Sequence, residues 1–155
     1  MSDSFIGRDG IVLRLARAED VAGIVDLLAD DPLGQERESP GDPAYDQAFR
    51  EIDMDPNNEL WVLDDGAVAG TMQLTIMPGL SRTACKRAQI ESVRIADRLQ
   101  GLGVGTWCFE CMIERSRQRG ADMVQLTSDI TRPDAHRFYD KLGFVASHTG
   151  FKLFL

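Results

Sequence analysis

Three glycines, Gly101, Gly103 and Gly105, fall within five residues between a run that reads as a strand and a run that reads as a helix. Residues 85–95 predict a strand that ends at Ile95. Val104, Trp107, Cys108, Cys111 and Met112 recur at helical spacing, so they predict a helix packed by one face, with Gly120 at its C-terminal cap. The segment Gln100-Gly101-Leu102-Gly103-Val104-Gly105-Thr106 is therefore a strand-to-helix turn. Glycine permits positive φ and close approach of the backbone. A helix N-terminus adds unpaired N–H groups and the positive end of the peptide dipoles. Together these make an anion site that suits a pyrophosphate.

Three phosphate-binding patterns compete for that turn. A Walker loop needs Gly-Lys-Ser/Thr, and no glycine here is followed by lysine. A dinucleotide loop needs a third glycine where Thr106 stands, and a following strand that ends in an acid. The remaining pattern, Q/R-x-x-G-x-G/A, is filled by Gln100, Gly103 and Gly105. By residues alone, a glycine-rich turn without a ligand stays open.

The rest of the chain reads as one α/β domain. Its 155 residues suit a single core. Residues 11–17 alternate as a first strand, and residues 18–29 carry Val21, Ile24, Val25 and Leu28 at helical spacing. Residues 30–43 read as an irregular loop. A second helix covers residues 43–52, with Tyr45, Phe49 and Ile52 on one side. Residues 60–63 and 68–76 predict a hairpin around Asp65-Gly66. Residues 122–127 predict a short strand, and Pro133 opens a helix with Ala135, Phe138, Tyr139 and Leu142 on its apolar stripe. Residues 144–146 and 150–155 predict terminal strands.

Charge and cysteine usage narrow the partners. The net charge of −8 argues against nucleic acid and suits a cationic substrate such as an amine, or simply a soluble surface. No apolar run is long enough to span a bilayer, and the polar start does not suit a secretory signal, so the expected location is the cytoplasm. Cys108-x-x-Cys111 lies within a helical pattern without further ligands at metal-like spacing, so no metal is expected.

Two motifs together carry a family resemblance. Gln100 to Gly105 resembles motif A of the GCN5-related N-acetyltransferases (GNAT). Ala135-His136-Arg137-Phe138-Tyr139-Asp140-Lys141-Leu142-Gly143-Phe144 is similar to the closing segment of the same family. The resemblance is strongest over residues 91–144. It implies a mixed, mostly antiparallel central sheet of about six to seven strands, splayed near Ile95 and flanked by about four helices. It also implies acetyl-CoA as co-substrate, a small-molecule primary amine as acceptor, direct transfer in a ternary complex, and a homodimer as one compatible assembly. Residues 132–139 with Ser147-His148 also resemble the C-terminal part of aminoalkylphosphonate acetyltransferases. Where the family often carries an asparagine, this chain has Arg132, and that role is not transferred.

Acetyl transfer from a thioester to an amine needs a base for the amine, a donor for the oxyanion and an acid for the leaving thiolate. The resemblance implies that Tyr139 is the acid; from its apolar stripe alone it reads as a core tyrosine. Glu91 is the candidate base. Period two puts it on a face with Val93 and Ile95, where desolvation would raise its pKa; a solvated or ion-paired Glu91 near Arg94 or Lys86 is the alternative. The resemblance implies that the backbone of Val93, Arg94 and Ile95 holds the pantetheine arm, and that the N–H groups of residues 102–106 hold the pyrophosphate. His136 and His148 read as surface residues. The acceptor site is expected in residues 30–43 and the start of the second helix. There Asp30, Asp31 and Glu36 favour a cation, whereas Arg37 and Arg50 favour a phosphonate or carboxylate. A CoA-binding regulatory module and a protein acetyltransferase are the rival functions.

Overall fold

The computed structural model describes residues 4–30 and 34–155. Its strands are β1 (Ser4–Ile6), β2 (Val12–Leu15), β3 (Asn58–Asp64), β4 (Val68–Met77), β5 (Arg87–Ile95) and β6 (Met123–Gln125). Its helices are α1 (Val21–Ala29), α2 (Ala44–Met54), the single turn α3 (Ser81–Ala84), α4 (Val104–Gln118) and α5 (Pro133–Lys141). The strands form one sheet in sequence order, β1-β2-β3-β4-β5-β6. Every neighbouring pair is antiparallel except β5 and β6, which run parallel. The expected mixed, mostly antiparallel sheet is the one observed.

Alternation along the strands divides the molecule into two layers. Trp61, Leu63, Met72, Leu74, Ile76 and Ile90 share one core with Cys108, Phe109, Cys111 and Met112 of α4. These side chains are almost fully buried. Each contributes about 1.5–3 kcal/mol relative to exposure. Both cysteines lie within this layer, where burial pushes Cys108 up to about 12 and Cys111 up to about 11. Neither is a thiolate at neutral pH. The opposite face meets α1, whose Val21, Ile24 and Val25 are buried, and α2.

One charged cluster is built into the α4 layer. Arg115 donates from Nη2 and Nε to the Glu59 carboxylate at 2.8 and 2.9 Å, and Trp61 Nε1 donates to it at 3.0 Å. Arg119 bonds to the same carboxylate. Burial pushes the Glu59 carboxyl up, but bonding to Arg115 and the charges of Arg115 and Arg119 outweigh it and hold Glu59 below its ordinary value.

The chain ends correct the expected strands. β1 is an additional strand, too short to show a period. Residues 144–155 form no strand; Val145, Phe151, Leu153, Phe154 and Leu155 are largely exposed. Their apolar alternation gives strand propensity, but a strand also needs a ladder partner. Residues 18–20 form a 3-10 turn before α1 rather than its first turn. No helix is long and apolar enough to cross a membrane among the described residues.

Candidate functional site

The parallel pairing of β5 with β6 covers only Arg87↔Met123, Ala88↔Val124 and Gln89↔Gln125. Beyond Gln89 the two strands part. The edge of β5 from residue 90 to residue 95 then has no ladder partner on that side among the described residues. Backbone N–H and C=O groups on such an edge accept an added extended chain. Val93, Arg94 and Ile95 lie on this stretch, and it runs directly into the glycine turn.

The turn is shaped by its own glycines. Gly101 and Gly103 have φ of 75° and 81°, the left-handed region, and a Cβ at either would meet nothing within 4 Å. Glycine is needed there for conformation, and the space beside the backbone is open. Gly103 is the N-cap of α4 and has no side-chain capping bond. The first helical N–H to return to the chain is that of Trp107, to Gly103 O at 3.1 Å. The amides of Val104, Gly105 and Thr106 therefore present the unpaired end of a fifteen-residue helix. This fits a pyrophosphate. Gln100 closes the turn from behind: its Nε2 donates to Ile95 O at 3.2 Å and to Asp97 Oδ1 at 2.7 Å. Arg98 ties the same segment to Asp65 of the β3–β4 hairpin at 2.9 Å. Leu102 is exposed at the tip.

α5 sets Tyr139 beside α4. Phe109, Phe138, Tyr139 and Phe144 form an edge-to-face cluster with centroids 5.4 to 6.3 Å apart. Phe138 and Ile95 both reach Gly105, within 3.5 to 3.8 Å of the position a Cβ there would take. The cluster thus links α5, the end of β5 and the start of α4. Burial pushes the Tyr139 phenol up, against a smaller opposing pull from Arg132, so the phenol is protonated at neutral pH. Arg132 is the exposed residue that precedes α5.

Glu91 corrects the period-two reading. Thr71 pairs with Arg94 and Gln73 with Glu91, so the single residue Met72 stands opposite both Ser92 and Val93. This is a β-bulge, and Ser92 takes φ of 52°. The extra residue switches faces. Val93 and Ile95 pack against the α4 core. Glu91, opposite Gln73, is exposed on the α1–α2 face.

That face holds a cleft of about 160 Å³. α1 supplies Val21, Ile24 and Leu28, and α2 supplies Tyr45, Ala48, Phe49 and Ile52. The strands supply Leu60, Thr71, Gln73 and Ser92. The predicted side of the second helix therefore does face a cleft, but none of the described charged residues expected to recognise the acceptor lines it. Asp30, Glu36, Arg37 and Arg50 are exposed elsewhere, and Asp31 lies outside the described residues. The polar members Thr71, Gln73 and Ser92 went unread; the polar phase of β4, Thr71-x-Gln73-x-Thr75, was the available signal. A broader concavity beside Arg82, Cys85 and Asp122 lies at the far end of β5, away from the turn and Tyr139. His136 Nε2 sits 2.9 Å from Asp129 O, and His148 Nδ1 sits 2.8 Å from Ser147 Oγ, both outside this arrangement.

The sheet thus splays at its parallel edge strand, a helix N-terminus without a side-chain cap stands at the splay, and Tyr139 packs on the same helix through Phe109. Residues 21–144 match the model of the acetyltransferase (GNAT) family, and the chain belongs to that family. An aminoalkylphosphonate N-acetyltransferase of Salmonella typhimurium is 30% identical over 109 residues, which are 70% of each chain. A transcriptional regulator from Bacillus halodurans C-125 superposes with a TM-score of 0.90 at 42% identity, over 94% of this chain and 99% of that one. A Clostridium acetobutylicum structure, described as a predicted acetyltransferase with acetyl-CoA, gives 0.73 at 14% identity, over 92% and 95%. That last likeness is one of fold alone.

Proposed function

We propose that the protein transfers an acetyl group from acetyl-CoA directly to the primary amine of a small molecule, both substrates being bound together. The observation that carries this reading is the end of β5, which leaves its ladder with β6 after Gln89 and runs straight into the uncapped N-terminus of α4. Residues 93–95 would hold the pantetheine arm, and the amides of residues 102–106 the pyrophosphate. When bound there, acetyl-CoA supplies an activated thioester.

The remaining chemistry belongs to the chain. Glu91 takes the proton that the amine nitrogen loses as its bond to the acetyl carbon forms, directly or through a water. Tyr139 gives a proton to the sulfur as the C–S bond breaks. Exchange with solvent resets both groups. A protonated phenol held by three aromatic contacts suits the acid role, and an exposed carboxylate on the cleft face suits a base that exchanges quickly with water.

The test is release of free CoA from acetyl-CoA against a panel of amino acids, polyamines, aminophosphonates, arylalkylamines and peptides. Tyr139→Phe should lower turnover about a hundredfold or more while leaving acetyl-CoA affinity nearly intact. Glu91→Gln should lower turnover similarly. Unchanged turnover in either variant removes that residue from the mechanism.

A second reading is favoured by the 42% identical Bacillus halodurans protein, which is described as a transcriptional regulator. On that reading this chain binds acetyl-CoA as a signal. Tight acetyl-CoA binding with no transfer to any amine of the panel would favour it.

A further inference from the structure

Resting on the acetyl-transfer reading, we infer that the acceptor carries a small uncharged body, a single ring or a short branched chain, bearing no phosphonate and no second ammonium. The cleft between α1, α2 and the sheet is where that body sits, and the Thr71 hydroxyl is its polar anchor.

Size comes first. The cleft measures about 160 Å³. An apolar cavity of roughly 150 Å³ takes one benzene. The cleft therefore accepts one six-membered ring or a branched chain of similar bulk.

Its chemistry comes second. Among the described residues, none that lines it is charged. A phosphonate is recognised by Arg or Lys in bidentate or point-charge contact, and a polyamine by carboxylates. The described lining offers neither. Glu91 and Arg94 are the charged residues nearest by register, and Arg94 is ion-paired to Asp97 at 3.1 Å. The Tyr45 hydroxyl is also engaged: it donates to Glu38 at 2.7 Å and accepts from Ser39 N–H at 3.0 Å. An apolar surround also favours the uncharged amine, the form that attacks.

The anchor comes third. Thr71 is 1% exposed, and its hydroxyl has no hydrogen-bond partner among the described residues. A buried hydroxyl left unpaired costs stability in the free protein. Valine, nearly isosteric, would remove that cost. Thr71 sits beside the bulge, opposite Arg94, and shares the cleft lining with Ser92. A hydrogen-bonding group on the bound body would satisfy it there.

The experiment has three arms on the full chain. Calorimetry first measures binding of tyramine, phenethylamine, isoamylamine, 2-aminoethylphosphonate and spermidine to the acetyl-CoA-saturated protein. Dead-end CoA replaces acetyl-CoA where turnover interferes. The uncharged-bodied amines should bind at least tenfold more tightly than the other two, and Ala48→Trp, which adds bulk at the α2 wall of the cleft, should abolish that binding. Second, CoA release is measured with the same amines. Third, Thr71→Val and Thr71→Ser are compared. Thr71→Val should raise the melting temperature yet weaken tyramine about three- to tenfold, with Thr71→Ser restoring affinity. Preference for aminoethylphosphonate or spermidine overturns the inference while leaving acetyl transfer intact. Failure of every amine to turn over, with selective apolar binding preserved, overturns acetyl transfer and supports the cleft. No selective binding, or binding untouched by Ala48→Trp, overturns the inference. A Thr71→Val variant that is both less stable and unchanged in tyramine affinity assigns Thr71 a structural role and removes it as anchor.

Discussion

The two faces of the sheet are built to different ends. Against one, α4 seals Trp61, Met72, Leu74 and Ile90 under Phe109 and Met112, and even the charged groups there are paired. Against the other, α1 and α2 leave a cleft with an unpartnered hydroxyl at its floor. Between them runs β5, whose bulge hands residues from one face to the other. On the proposed reading, the donor would be held by backbone atoms that any sequence supplies once the strand edge and helix N-terminus exist. The acceptor would be held by side chains, which change cheaply. A fold divided in this way can keep its co-substrate and vary its acceptor.

Substitutions on the two faces should differ in kind. Phe109→Ala removes the ring on which Phe138, Tyr139 and Phe144 all pack, and should cost about 3–5 kcal/mol in urea unfolding. A cost below 1 kcal/mol would mean that the α4 face is as loose as the other. Arg115→Ala leaves the Glu59 carboxylate buried with one cation fewer, and should cost about 3 kcal/mol at neutral pH. Its pH dependence has a definite sign. Glu59 is held below the ordinary carboxylate value, so the wild-type contribution is present above that value and is lost as pH falls through the folded one. The gap between wild type and Glu59→Gln should therefore shrink on acidification to roughly pH 3. A gap that widens would contradict the pairing.

Smaller effects are expected where backbone or cleft is involved. Gly103→Ala forces a side chain to φ of 81° and should cost about 1–2 kcal/mol, with a clear loss of acetyl-CoA affinity measured by calorimetry. Unaltered affinity would separate the turn from the donor. Leu28→Ala, half-buried in the cleft lining, should cost about 1 kcal/mol or less in stability and act mainly on acceptor affinity.

What could be read from the chain follows the same division. The turn at Gly101 and Gly103 was legible because positive φ and a helix start are local properties. The stripe Phe138-Tyr139-Leu142 was legible from helical period, and so was the apolar side of α2. The bulge at Ser92 was not, because an extra residue in one strand shows only against its partner. That single residue moved Glu91 to the face opposite Val93 and Ile95. Residues 144–155 carry strand-like alternation, yet no ladder partner accompanies it. The cleft draws on α1, α2 and three strands, and no local pattern brings those residues together.

Amide hydrogen exchange with and without acetyl-CoA tests the donor site most directly. Protection should rise at residues 93–95 and 102–106, with little change across α1 and α2. Protection confined to α1 and α2, or absent from the β5 edge and the glycine turn, would contradict the account.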